Sequence, residues 1–404
     1  MKIVENGGEN TPPLKYKTTI VIMDYKRLGD YIREVNVRNR DLKVTNLLGL
    51  SVSKEFMPLI ANTIGTDMST YKVVERDQLV YIADTSRRGD KIAIGLLDKY
   101  DTAIVSQAYT VFEVTDHELL LPEYLMMWFR RPEFDRYARF HSHGSAREIF
   151  DWDELCDVML PIPSITRQRE IVSEYETLTN RIRLNNQMIQ HLEATAQALY
   201  RKTFVDNIDK ENLPEGWRMR TLGEVIESYS KTHKFSKPQL VFLNTSDIYS
   251  GKILHRNYSD IENMPGQAKK EIRNGDILFS EIRPANKRYA FIKEKRPEDF
   301  VVSTKLMVLR MKDNSYSSLK VYFYLTLPDV LNDLQKQADG ASGTFPQITF
   351  DGNLKNRSII FADKRIETEW DKFLRIFYNN VWNMEQENEK LIELQSLLLA
   401  KMGQ

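Results

Sequence analysis

Apolar and polar positions follow two regimes along this chain, and the succession of regimes occurs twice. Short β-branched and aromatic runs come first: TTIVIM (Thr18–Met23), QLVYIA (Gln78–Ala83) and AIVSQAYTVFEV (Ala103–Val114). Polar, turn-prone stretches such as DTSRRGDK (Asp84–Lys91) separate them, the pattern of strands joined by loops. A helical pattern with an apolar-aromatic face follows over Pro122–Phe140. After LPIP (Leu160–Pro163), Ser164 is a natural N-cap. Beyond it Ile171, Tyr175, Leu178, Ile182, Asn185, Ile189, Leu192, Ala196, Leu199 and Thr203 recur at 4-3-4-3 spacing. That seam predicts a helical stretch of about 50 Å at 1.5 Å per residue. The order then begins again with DILFSEIRP (Asp276–Pro284), FVVSTKLMVLRM (Phe300–Met311) and a helical pattern over Ser318–Gln335. A second seam closes it: Trp370, Leu374, Phe377, Val381, Met384, Asn388, Leu391, Gln395, Leu398 and Met402.

The two successions align residue by residue with a slowly growing offset. RLGDYI (Arg27–Ile32) returns as TLGEVI (Thr221–Ile226) 194 residues later, and Ala103–Val114 returns as Phe300–Met311 at 197. GSAREIFDWDEL (Gly144–Leu155) returns as GTFPQITFDGNL (Gly343–Leu354), and LEATAQALYRK (Leu192–Lys202) as LIELQSLLLAK (Leu391–Lys401), both at 199. The period is too long for a solenoid, so the chain reads as a duplicated module. Strands mixed with helices, without regular βαβ alternation, place each module in the α+β class. The expected architecture is two pseudo-symmetric α/β domains separated by two long antiparallel coiled-coil helices. Its boundaries are 17–163 for the first domain, 164–210 for the central helix, 211–363 for the second domain and 364–404 for the distal helix. Neither narrow seam can be buried alone, so each is expected to bury against the other. With flush ends Asn185 then faces Asn388, one polar residue per apolar seam, a device that fixes register. These two side chains are expected within hydrogen-bonding range.

Composition narrows the function. An apolar share of 42% and a charged share of 28% are those of an ordinary globular chain. No apolar run reaches the roughly 18–20 residues of a membrane span, and Met1 to about Tyr16 reads as a polar, mobile tail without a signal pattern. A single cysteine, Cys156, excludes an internal disulfide framework and a cysteine-based zinc site, and it fits a reducing, cytoplasmic setting. Net charge is zero, but Met1–Leu160 carries 21 Lys+Arg against 25 Asp+Glu, while Glu211–Arg365 carries 25 against 19. That balance argues against a strong non-specific polyanion binder and permits a local basic patch.

Two stretches carry a family resemblance. MLPIPSITRQREIV (Met159–Val172), leading into LEATAQALYRKTF (Leu192–Phe204), is a short Pro-containing strand followed by a helix entered with Gln and Ile/Val. SGTFPQITFDGNL (Ser342–Leu354) looks like a Gly-Ser/Thr-x-x-Pro-x-(Ile/Leu)-(Ser/Thr) segment, with a single residue between Thr344 and Pro346. Together with the order module–helix–module–helix over nearly the whole chain, they resemble the DNA-specificity subunit of type I restriction–modification systems. Two departures stand out: HGSAREIFDWDEL lacks the Pro, and FADKRIETEWDKF lacks both the Pro-x-Pro and the Gln. The resemblance implies a non-catalytic subunit whose two target recognition domains each read one half of a split double-stranded DNA sequence. The helices would act as a ruler, and a 50 Å ruler is roughly one and a half turns of B-DNA. Because the two copies differ, the target should be asymmetric and bipartite. The resemblance also implies partners: a methyltransferase subunit, in the family usually two copies, and a restriction/translocase subunit. S-adenosylmethionine, ATP and Mg would be used by those partners, and no cofactor is expected in this chain.

Direct readout needs Arg, Lys, Asn, Gln, Ser or Thr at major-groove base edges. In the first module the candidates are Arg87, Arg88 and Lys91, then His141, His143, Ser145 and Arg147. In the second they are Arg283, Asn286, Lys287 and Arg288 at the aligned loop, Lys231, His233, Lys234 and Lys237 in SKTHKFSK, and Ser342 and Thr344. Exposed loops are commonly rich in Lys and Arg that are simply solvated, so these are candidates as a class. Catalytic alternatives fail on residues: Asp276, Glu281 and Arg283 lack the Lys of an Asp…Glu-x-Lys nuclease, and His141 and His143 lack a third metal ligand. There is no Walker loop, no Gly-rich S-adenosylmethionine motif and no Asn/Asp-Pro-Pro-aromatic motif. Three readings therefore stand: a type I specificity subunit, the DNA-recognition partner of another restriction type or a methylation-only complex, and a coiled-coil scaffold with no DNA role.

Overall fold

A computed structural model of the chain describes residues 24–59, 66–85, 89, 91–144, 148–206, 208–340 and 346–403. The expected tail and the run Thr18–Met23 lie outside the described residues. The chain divides into two compact units, Met1–Arg183 with Asn388–Gln404, and Leu184–Glu387. The division cuts both long helices, Ile165–Phe204 and Lys364–Lys401. Each helix segment therefore belongs with the α/β module it packs on, where separate helical domains were expected at 164–210 and 364–404.

In the first unit the central sheet is antiparallel in the order Ile32–Val35, Thr110–Val114, Leu79–Ile82, Ala93–Leu96. The run Ala103–Val114 contributes two strands, Thr102–Val105 and Thr110–Val114, separated by a turn at Ser106–Tyr109. The first of them pairs with Lys72–Glu75. Phe112 centres the core, edge-on to Tyr81, Phe129 and Trp152 at 5.7–6.3 Å. Truncating such a buried ring costs about 3–5 kcal/mol. The helical pattern over 122–140 is two helices, Pro122–Phe129 and Pro132–Phe140, because Pro132 cannot continue a helix and instead starts the next one.

The second unit repeats this plan. Its central sheet runs Ile226–Tyr229, Leu306–Met311, Ile277–Ser280, Tyr289–Phe291, the same order and the same antiparallel sense. Pro328 divides its helical stretch into Ser318–Leu325 and Pro328–Gly340. The repeated glycine of RLGDYI and TLGEVI has a packing reason. A Cβ on Gly29 would lie 2.8 Å from the Cβ of Cys156, and one on Gly223 would lie 2.6 Å from the Cγ of Lys355, the residue aligned with Cys156. Both glycines let the chain pass close to the end of the module.

Within each unit the long-helix segments pair antiparallel. Gln395 Nε2 donates to Thr179 Oγ1 at 2.7 Å in the first, and Asn185 Nδ2 donates to Glu387 Oε2 at 2.9 Å in the second. Both pairs lie within one residue of the register expected from flush seams. Asn185 and Asn388 are themselves buried. They fall in different units, and their mutual pairing stands as a proposal. One seam position is corrected: Leu199 is exposed, and Tyr200 and Phe204 take the buried places after Ala196. The spacing of four over Ala196, Tyr200 and Phe204 is the drift of an α-helix that is not overwound to 3.5 residues per turn.

Candidate nucleic-acid interface

The candidate loops are hairpin connections of the central sheets. In the first unit Ala83–Ile92 joins Leu79–Ile82 to Ala93–Leu96, and in the second Glu281–Arg288 joins Ile277–Ser280 to Tyr289–Phe291. The segment that precedes the end of each module is laid against the same hairpin. In the first unit Phe150 N donates to Ala83 O at 2.9 Å, Thr85 N to Glu148 O at 3.1 Å, and Thr85 Oγ1 to Ser142 Oγ at 2.9 Å. In the second, Ile348 N donates to Glu281 O at 2.8 Å and Arg283 N to Pro346 O at 3.2 Å. These partners are 198 residues apart in both strands of the contact. Two stretches distant in sequence thus meet at one edge in each unit.

The second loop has the sharper geometry. Arg283 (φ +45°) and Lys287 (φ +53°) both lie in the left-handed region and bracket the turn Pro284–Asn286. Such a conformation costs a side-chain-bearing residue about 1–3 kcal/mol and persists only where its surroundings impose it. Here Asn286 N donates to Arg283 O, Lys287 N to Pro284 O, and Ala285 N to Gln335 Oε1 at 3.0 Å. The side chains of Arg283, Asn286 and Lys287 are exposed and have no partner among the described residues. Arg288 is used differently: its Nη1 donates to Ser246 O and Ile248 O at 3.0 and 2.9 Å, tying the loop to the turn Thr245–Asp247 and the short strand Ile248–Tyr249. Sequence reading missed Lys305. It lies in the turn inside FVVSTKLMVLRM, read as one run, and its Nζ stands 3.5 Å from Glu281 and 3.2 Å from Gln347.

Other candidates are placed less freely. His141 Nδ1 and His143 Nε2 share one carboxylate, Glu154, at 3.0 and 3.4 Å, and His141 stacks on Tyr137 at 4.2 Å. Lys91 is exposed, close to the buried Lys54–Asp135 pair. Burial pulls the Lys54 ammonium below its ordinary value, and Asp135 opposes that shift. Lys231, His233, Lys234 and Lys237 lie beside the second sheet, Gln239–Leu243 with Phe300–Ser303 and Ala268–Glu271. Lys231 pairs with Glu271, and Lys237 with buried Asp299. The Lys237 hydrogen bond holds the Asp299 carboxyl below the usual range, with burial opposing. Lys234 is exposed. Arg87, Arg88, Ser145, Arg147, Ser342 and Thr344 lie outside the described residues. Among the described residues no cluster of His, Cys, Asp or Glu could hold a metal ion, and no helix is long and apolar enough to cross a membrane.

Residues 214–393 match the family described as Type I restriction modification DNA specificity domain. Over 152 residues the chain is 38% identical to the type I restriction enzyme HindI specificity subunit of Haemophilus influenzae, a stretch covering 37% of this chain and 33% of that protein. The match thus spans about a third of the length of that curated relative. The structure of a type I restriction–modification system S subunit from M. genitalium superposes with a TM-score of 0.58 at 13% identity, covering 98% of this chain and 99% of that one, and shares its fold. Over residues 214–393, then, the chain carries a match to the type I restriction modification DNA specificity domain, and over 152 residues it is similar to a type I specificity subunit.

Proposed function

We propose that this chain is the non-catalytic specificity subunit of a type I restriction–modification complex. It binds a bipartite, asymmetric double-stranded DNA sequence, one half-site per α/β module, with the paired helices setting the spacer. It directs a methyltransferase subunit and a restriction/translocase subunit to that sequence, and S-adenosylmethionine, ATP and Mg are used by those cytoplasmic partners. One observation carries the reading. In both units the hairpin loop of the central sheet and a distant loop are hydrogen-bonded into a single edge, and in the second unit this edge presents the unpartnered Arg283, Asn286 and Lys287. Basic and amide side chains on a rigid, strained turn are what base-edge readout requires.

The test is a mobility shift of duplex DNA by the full chain, alone or with its methyltransferase partner, over a salt series. Binding that falls steeply with salt supports the reading, because each neutralised phosphate adds about 0.9 to the log–log slope. Arg283→Ala is expected to weaken binding by about 1–3 kcal/mol, and a loss confined to particular sequences marks a base contact, whereas a uniform loss marks a phosphate contact. Absence of any salt-dependent shift returns the chain to the scaffold reading.

A further inference from the structure

Among the described residues, the two equivalent edges differ at two aligned places. In the first unit the helix Pro132–Phe140 ends on Phe140, whose side chain is 81% exposed, the most open large apolar residue among those described. Two residues on, Ser142 bonds to Thr85 at the root of the hairpin loop. Ile149, 43% exposed, sits on the same staple, paired with His143 and with Asp84. The Phe140 ring is held edge-on to His141 at 5.2 Å, and His141 is in turn fixed by Glu154 at 3.0 Å. In the second unit the aligned places are taken by exposed Lys336 and by Gln347, beside Lys305. A lone exposed apolar side chain on a surface is unremarkable. This one ends a helix whose next turn is bonded to the hairpin, its ring lies edge-on to the anchored His141, and it stands where the sister unit carries an exposed lysine.

We infer that Phe140 reads a thymine in the half-site of the first unit through the C5-methyl group in the major groove. The inference rests on the specificity-subunit reading above. Every base pair shows donors and acceptors in that groove, but only thymine offers a methyl group, and an aromatic ring is an established partner for it. The first half-site is then specified partly by apolar contact and the second by polar contact. This gives a physical reason for two different words read by one fold. Because Phe140 is open to solvent, removing its ring leaves the core of the unit intact.

The experiment selects binders from a pool of duplexes with a randomised region, using the full chain with its methyltransferase partner. Wild type, Phe140→Ala, Phe140→Leu and Arg283→Ala are compared. The expected result is a bipartite sequence for wild type. Phe140→Ala degenerates one thymine position in one half, Phe140→Leu keeps part of that preference, and Arg283→Ala alters only the other half. Replacing that thymine by uracil, which lacks the methyl group, is expected to weaken wild-type binding about 3- to 4-fold and to leave Phe140→Ala unaffected. Selection of an unchanged sequence by Phe140→Ala overturns the inference, as does wild-type indifference to uracil, which would point to a wedge between base steps. If wild type selects no sequence at all, the specificity-subunit reading itself fails, a different outcome from either of these.

Discussion

The entrances to the two long helices solve one problem with opposite chemistry. At the first, the strand Met159–Pro161 runs through Pro163 into Ser164, whose hydroxyl accepts from Arg167 N. Gln168, fully buried, accepts from Leu121 N at 2.9 Å and donates to Leu119 O and Pro163 O at 2.8 and 2.9 Å. Tyr124 completes the site by donating to Pro161 O at 3.0 Å. At the second, Asp363 caps the helix by accepting from Arg365 N and Ile366 N. Ala362 replaces Pro163 and so brings an N–H that needs an acceptor, and Glu367, in the place of Gln168, accepts it at 2.7 Å. The partly buried carboxylate then takes a cation, buried Lys320, aligned with Tyr124 and held between the rings of Phe204 and Phe361. The departures FADKRIETEWDKF makes from the Pro-x-Pro and Gln pattern are therefore one coupled change. A prolyl carbonyl calls for an amide donor, and a free N–H calls for an acid with its counter-charge.

That coupling can be broken from either side. Lys320→Met alone leaves the Glu367 charge uncompensated and is expected to destabilise the second unit by about 3–5 kcal/mol in denaturant unfolding. Adding Glu367→Gln, which keeps an acceptor for Ala362 N, is expected to recover most of the loss. A double variant no more stable than the single one would refute the coupling. Next in size, Gln168→Leu strands the buried Leu121 N–H and two carbonyls, for an expected loss of about 2–4 kcal/mol confined to the first unit.

A smaller effect separates the units by pH. Burial holds the Lys320 ammonium down to about 8 from an ordinary 10.5, against the pull of Glu367. Between those values the unfolded chain binds a proton that folded Lys320 has released. Lys320 therefore makes the second unit relatively more stable as pH rises through that window. Stability of wild type relative to the Lys320→Met/Glu367→Gln double variant should climb from pH 7.5 to 9.5, and a flat difference would contradict the assignment. The smallest change is Asn185→Cys with Asn388→Cys. If the proposed register pairs these positions, mild oxidation yields a cross-link visible by gel mobility, because a disulfide tolerates Cα separations of only about 4.4–6.8 Å.

Much of the architecture was legible in one dimension. The repeated runs, the Ser164 cap, the two seams and their antiparallel register are set by local periodicity, which a sequence displays directly. The misreadings have local causes too. Pro132 and Pro328 split helices that apolar pattern alone ran together, and the turn at Ser303–Lys305 hid inside a continuous β-branched run. Composition picked out the hairpin loops, but it ranked their residues equally. Only the structure separated Arg288 and Lys237, spent on internal partners, from Arg283, Asn286 and Lys287, which have none among the described residues. Phe140 went unremarked because in sequence it is one more apolar residue of an apolar face, and its exposure depends on where its helix stops.

The sequence by itself determined that one α+β module is used twice, that each copy is followed by a long helix, and how the seams of those helices align. Those properties follow from spacing, and spacing is written along the chain. The tertiary structure decided which distant loops share an edge, which basic side chains stay free, and that the two helix entrances are chemical opposites. Such properties depend on contacts between residues 47–67 positions apart, where hydrogen-bond partners are chosen by the fold and not by neighbours in sequence.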